Sequence, residues 1–326
     1  MRIMCSLRVA DAALVLLSIL LVGCGLKNND TIRAVSSDSV SVIFAGDVLL
    51  DRGVRRQIER RGVNYVFSSV RDSFCKADAV VVNLECPFSD VVSPVFKKFV
   101  FRADAEWASV LPWAGITHAA LANNHSYDQG GYGLTFTDNV LRKSNVIPIG
   151  YGDSLVRVAP AVITSGKHRV AVFNSVFLRL ECWNKDNDQQ DICRLNAAGL
   201  ADVIRDYKRS NPRDFVIAFV HWGVEFMPHS SLTQQAEAMC LVAGGADAVI
   251  GSHPHVVQNA DSVYGVPVIY SLGNFVFDQR RAEGRKAQMA KVVVGDSVTV
   301  YLHDVEIQRC HPVPVGRWKK FMTRKY

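Results

Sequence analysis

The chain has 326 residues and no C-x-x-C pair, so it carries no spacing of a structural zinc site. It has no internal repeat and no long low-complexity segment, which argues against a solenoid and against a largely disordered chain. No basic helix and no interleaved basic-aromatic platform stands out. The formal net charge is +6, but the basic residues are scattered; this is a weak hint of anionic partners and supports no nucleic-acid role. The apolar stretch at residues 12–22 is too short for a comfortable membrane span. What the chain does have is hydrophobic residues at 49%, enough for a sizeable core in one large domain or two small ones.

The amino terminus reads as a targeting segment. Arg2 and Arg8 precede the apolar stretch, the order of a secretory n-region and h-region. The stretch runs into Leu21-Val22-Gly23-Cys24, which resembles a bacterial lipobox. That resemblance implies cleavage before Cys24 and lipidation of its thiol. Residues 1–23 are then a lipoprotein signal peptide and 24–39 a tether, and the folded part is expected outside the cytoplasm, anchored at the cell envelope. A signal peptide cut elsewhere, or an uncleaved anchor, is the alternative. Cys182 and Cys193 flank a polar segment, so a local loop-closing disulfide is one expectation and free buried thiols are the other.

Six short apolar runs each end in residues of a metal-ligand type. Residues 40–45 lead into Gly46-Asp47, 79–82 into Asn83-Leu84-Glu85, and 119–122 into Asn123-Asn124-His125. Further on, 215–220 lead into His221-Trp222-Gly223-Val224-Glu225, 248–250 into Gly251-Ser252-His253-Pro254-His255, and 266–270 into Ser271-Leu272-Gly273-Asn274-Phe275. Such runs, separated by helix-like segments, predict buried strands of an α/β fold. Ligands of such folds bind at the carboxyl ends of the strands, so carboxylate, amide and imidazole groups from distant positions converge there. Oxygen and nitrogen donors of this kind suit a divalent metal.

Helices are expected at 54–61, 67–76, 105–113, 134–144, 197–209 and 232–243, with a further strand at 147–149 and an extended segment at 96–101. Alternation predicts hairpins over 157–163 with 168–176, and over 291–294 with 297–305. Late antiparallel hairpins beside a strand-helix alternation point to an α/β sandwich of mixed β-sheets flanked by helices, spanning 40–308. Residues 309–326 are basic and aromatic and read as a solvated, partly ordered tail.

Taken in order, the six clusters, with Asp128 and Gly130 after His125 and Asp278 after Phe275, closely resemble the capsule-synthesis family of the CapA type, linked to poly-γ-glutamate assembly. That family looks like a branch of the calcineurin-like metallophosphoesterase superfamily, which implies a metallophosphatase-like sandwich. By that resemblance Asp47 and His255 hold one metal (Mn, Zn or Fe), Asn124, His221 and His253 hold a second, and Glu85 bridges them. His125 would contact substrate and protonate a leaving group, and Asp128 would orient its imidazole. Two cations about 3.5–4 Å apart clamp the oxygens of a reacting group and lower the pKa of water. Pro254 excludes a helix between His253 and His255 and is expected to hold that turn extended.

Two positions depart from the superfamily pattern. Leu49 stands where a histidine is usual, leaving the first metal a ligand short unless Asp51, water or a backbone group substitutes. Glu85 replaces the usual aspartate. A single-metal or weakly held dinuclear site is therefore one expectation. Trp222, Phe226, Tyr270 and Phe275 are expected to pack beneath the site, while Glu225, Ser271 and Asn274 either touch substrate or support it. Arg280, Arg281, Arg285 and Lys286 form a basic run, either a solvated loop or an attractor for a polyanion. The resemblance implies a role in making, exporting or anchoring an anionic surface polymer, with a phosphate-containing substrate or a membrane-bound polymer synthase as partner. A non-catalytic polymer- or synthase-binding scaffold and a periplasmic phosphoesterase or nucleotidase are the alternatives.

Overall fold

The computed structural model describes residues 39–183 and 191–325. The expected signal peptide, the lipobox-like segment and nearly all of the expected tether lie outside the described residues. Two stacked sheets form the centre. The first runs, from one edge, through His311–Pro314, Ser297–Gln308, Lys286–Val294, Val40–Val48, Ala79–Leu84, His118–Ala120 and Ile147–Ile149. Asn274–Val276 also pairs with Val40–Val48, and Lys319–Lys325 with Ser297–Gln308. The second runs through Ala260–Val263, Val266–Ile269, Ala248–Ser252, Phe215–His221, His168–Val176 and Ala161–Ser165.

The apolar runs are continuous because both faces of these strands are covered. In Val40–Val48, Val42 and Phe44 turn toward the second sheet, whereas Ile43 and Ala45 turn toward the outer layer. The inter-sheet core joins them to Val172, Ile217, Phe219 and Ile250, with the Phe44 and Phe219 rings edge to face at 5.5 Å. Outside the first sheet lie helices Arg52–Arg61 and Gly130–Lys143, through Val54, Ile58, Leu134 and Leu141. Outside the second lie Ala197–Ser210 and Leu232–Ala243, through Leu200, Ile204, Ala238 and Leu241. The expected sandwich of mixed sheets flanked by helices is therefore the architecture observed.

Local chemistry explains the helix starts. Asp51 caps Arg52–Arg61 by accepting from the Arg52 amide, Asn196 caps Ala197–Ser210, and Ser231 with Gln234 closes a capping box on Leu232–Ala243. The strands Val40–Val48, Ala79–Leu84 and His118–Ala120 are parallel, as are His168–Val176, Phe215–His221, Ala248–Ser252 and Val266–Ile269. Pairing of Asp47 with Asn83, and of His221 with Ser252, brings the carboxyl ends of each set level.

Four expectations need correction. Residues 309–325 are not a solvated tail: His311–Pro314 and Lys319–Lys325 add two strands to the first sheet. The helix expected at 67–76 breaks into the 3₁₀ turn Val63–Phe67 and the short helix Arg71–Phe74, where the Ser69 hydroxyl donates to the Pro312 carbonyl. The helix expected at 105–113 starts as the 3₁₀ segment Ala105–Ser109. Cys182 and Cys193 are both free, one exposed and the other buried, so no local disulfide forms.

His118, buried in the first sheet with Nδ1 2.7 Å from Thr117 Oγ1, has its pKa pushed down by burial to about 4 from the ordinary 6.5. The unfolded chain then takes this proton more readily, so stability is complete above the unfolded pKa and is lost as pH falls toward the folded one. At about 1.4 kcal/mol per decade, the loss amounts to roughly 3 kcal/mol. Urea unfolding at pH 7.5 and 4.5 in EDTA should show His118→Asn losing about 2 kcal/mol less than the native chain over this interval. Equal losses would contradict the assignment.

Candidate metal centre

The carboxyl ends of both parallel sets meet at one edge of the sandwich. Asp47 is the second-last residue of its strand, at a register shift between Ala45 and Asp47. Glu85 follows Ala79–Leu84, Asn124 and His125 follow His118–Ala120, His221 ends Phe215–His221, and His253 and His255 follow Ala248–Ser252. Asp47, Glu85 and His221 are fully buried, and His125, His253 and His255 nearly so.

Asp47, Glu85 and His255 each offer a donor atom within 4.8 Å of the others, and so do Glu85, His221 and His253. Glu85 is common to both groups. His255 Nδ1 is 3.3 Å from Asp47 Oδ2, and its Nε2 is 3.7 Å from Glu85 Oε1. Asn124 Oδ1 lies 2.8 Å from His221 Nε2, and the His221 and His253 rings are 4.8 Å apart. Asp47 Oδ2, Glu85 Oε1 and His253 Nδ1 are buried with no hydrogen-bond partner. Three buried ligand-type atoms without hydrogen bonds are costly and fit a cation between them.

Electrostatics points the same way. Burial, then the adjacent Asp47 carboxylate, holds Glu85 well above the ordinary carboxyl range. Burial and the neighbouring imidazoles hold His221 far below 6.5, and His253 is pushed down to about 3. Those rings are neutral at physiological pH, the form that ligates metals. His255 differs: burial lowers it, but the adjacent Asp47 carboxylate outweighs that and raises it.

His125 stands beside the two groups, with Nε2 4.0 Å from Glu85 Oε1 and Nδ1 2.7 Å from Asp128 Oδ2. The Asp128 carboxylate is therefore within hydrogen-bond reach of the ring. It also accepts from the Phe101 amide at 2.7 Å and pairs with Lys97 at 2.6 Å. The Phe101 ring stacks on His125 at 4.1 Å. Burial outweighs Asp128 and lowers the His125 pKa.

Several contributors escape sequence reasoning. The Asn83 amide is 2.9 Å from Asp47 Oδ1, 3.3 Å from Glu85 Oε2 and 3.3 Å from His221 Nδ1, so one side chain braces both groups. Its place between strand and carboxylate is the signal that was available. Lys97 and Phe101 carried no signal, because residues 96–101 reach His125 only through the tertiary fold. Asn274 braces the site rather than facing solvent: its Oδ1 is 2.9 Å from His255 Nδ1, and its amide donates to the His255 and Gly284 carbonyls.

Three expectations fail or narrow. The turn at Pro254 is not extended, since His253 and His255 have φ of 100° and 58°. Asp51 does not replace the missing histidine, because its carboxylate caps a helix and accepts from the Arg102 amide and Arg55. Leu49 is fully buried in the core. Phe226 is half-buried at a cavity wall rather than beneath the site, whereas Trp222, Tyr270 and Phe275 are buried as expected.

A family model described as bacterial capsule synthesis protein PGA_cap matches residues 41–279. The chain belongs to this family. Capsule biosynthesis protein CapA of Bacillus anthracis is 30% identical over 291 residues, covering 86% of this chain and 70% of that protein. PGA biosynthesis protein CapA of Bacillus subtilis is 26% identical over 307 residues, covering 90% of this chain and 78% of that one. Among solved structures, the calcineurin-like phosphoesterase YfkN from Bacillus subtilis overlaps with a TM-score of 0.45 at 14% identity, covering 88% of this chain and 90% of that one. In this PGA_cap member the ligand-type residues all fall within, and the edge strands beyond Gln308 outside, the matched span.

Close backbone approach makes the cluster possible. A methyl group on Gly46 would overlap the Gly273 carbonyl, next to the Asp47 amide that donates to it at 3.2 Å. Gly46→Ala should lower unfolding stability by about 1–3 kcal/mol, read as a lower urea midpoint. A native midpoint would show that the strands part without cost.

Proposed function

We propose that this capsule-synthesis protein works at the outer side of the membrane, held by lipid on Cys24, and handles an anionic surface polymer such as poly-γ-glutamate through a divalent-metal site of hydrolase type. The observation that carries the reading is Glu85, a buried carboxylate shared between two donor groups. The two Bacillus relatives, named for capsule biosynthesis and PGA biosynthesis, support the polymer.

Asp47, Glu85 and His255 would hold one cation, and Glu85, Asn124, His221 and His253 another, drawn from Mn, Zn or Fe. A divalent cation bound there supplies charge that polarises phosphoryl or acyl oxygens and lowers the pKa of water. The chain's own residues do the rest. Asp128 accepts the Nδ1 proton of His125 and fixes its tautomer, leaving Nε2 toward the cluster. Burial keeps the ring neutral at rest. An anionic substrate entering the cavity favours uptake of a solvent proton at Nε2, and the resulting imidazolium gives that proton to the leaving atom and returns to the neutral ring. Asn83 and Asn274 hold the ligand side chains in place.

A second reading follows from Leu49. Its burial leaves the Asp47 group short of a ligand, which favours a scaffold that binds polymer or a membrane synthase without turnover.

Elemental analysis and p-nitrophenyl phosphate hydrolysis with Mn²⁺ or Zn²⁺ separate these readings. The native chain should hold metal stoichiometrically, and Asn83→Ala or His253→Ala should weaken it roughly 10–100-fold. His125→Ala should keep the metal and lose turnover about 100-fold or more. Metal with polymer binding but no turnover selects the scaffold; a native chain free of metal after reconstitution rules out both.

A further inference from the structure

Two cavities open at the cluster, one on each side of His125. The first, about 360 Å³, is reached past Asn124 and His253 and carries Lys97, Lys98 and Arg179. The second, about 630 Å³, is reached past His255 and carries Arg52, Arg56, Arg280 and Arg281. His125, Phe99 and Glu225 line both, so the two cavities adjoin at these residues.

Their cations are not all spent on internal pairs. Lys97 pairs with Asp128, and Arg52 with Asp278. Lys98 and Arg179 on one side, and Arg56, Arg280 and Arg281 on the other, are exposed and have no carboxylate partner among the described residues. Glu181 and Glu225 offset part of that charge without cancelling it. Apolar surface is interleaved with the cations: Arg281 lies 4.2 Å over the Phe226 ring, and Phe99, Phe101 and Phe277 line the same wall.

We infer that the two cavities are arms of one groove, in which an extended polycarboxylate chain lies across the cluster and is gripped on both sides. An internal stretch of the chain, not its end, then meets His125. The inference rests on the proposed polymer-handling function. Cations on both sides of the reacting position suit a ligand that carries charge in both directions, which a single terminal phosphate does not. Aromatic rings between the cations suit a polymer whose charges are spaced by hydrocarbon, whereas a polyphosphate has nothing to lay on them.

The test is binding of fluorescent poly-glutamate of about 50 residues to the purified full chain in detergent, at about 0.1 M salt, beside a glutamate trimer and a polyphosphate of similar charge. Lys98→Glu with Arg179→Glu removes one arm; Arg280→Glu with Arg281→Glu removes the other. Each pair should weaken polymer binding about tenfold or more, the four together by about the product, and the trimer should bind far more weakly than the polymer. Unchanged thermal melting and metal content in the variants tie the effect to the groove. Native affinity in either double variant overturns the two-sided path, and tighter binding of polyphosphate overturns the carboxylate assignment. A metal-free chain that still needs both arms would sink the metal site while upholding the groove.

Discussion

Two carboxylates, Asp47 and Glu85, are held side by side with no solvent around them, and the edge of the sandwich is organised by that constraint. Buried negative charges at such a distance repel each other and lose their hydration, so either one is protonated or positive charge comes between them. His255 supplies part of it, being the one imidazole of the cluster raised rather than lowered in pKa. The rest of the demand is what makes a cation fit. Asn83 reaches Asp47, Glu85 and His221, so an amide in the middle of the sheet fixes the spacing that gives rise to it.

The scaffold answers that demand with rigidity. Parallel strands covered on both faces cannot slip by one residue without turning a run of apolar side chains the wrong way. Glycines at Gly46 and Gly251 let backbones approach where a side chain would overlap Gly273 or Tyr270. The ligand-type side chains therefore sit at strand ends whose positions are settled by the core. The 96–101 segment and the arginines beyond Asp278 line the cavity walls around those ends.

The sequence was most legible where the signal is local. Strand 147–149 and helix 232–243 have the bounds read from periodicity and capping, and the later hairpin formed with longer strands than expected, whereas the first strand of the earlier one is only Ala161–Ser165, because Val156–Val158 is a 3₁₀ turn. It was least legible where pairing is long-range. Lys319–Lys325 is a half-exposed edge strand held by Ser297–Gln308, so its basic, aromatic sequence resembles a loose end. At the break near Ser68, the neighbouring Ser69 hydroxyl donates to the Pro312 carbonyl far along the chain.

By itself, the sequence determined the α/β class, the six strand-end clusters and the types of donor they contain, because apolar runs and their polar ends are written residue by residue. Only the tertiary structure decided that Glu85 belongs to both donor groups, that Asn83 braces them, and that Lys97 and Phe101 close on His125. It also decided that Asp51 turns away to a helix cap. These are relations between strands and loops tens to hundreds of residues apart, and their distances come from register and sheet stacking, which no local pattern contains.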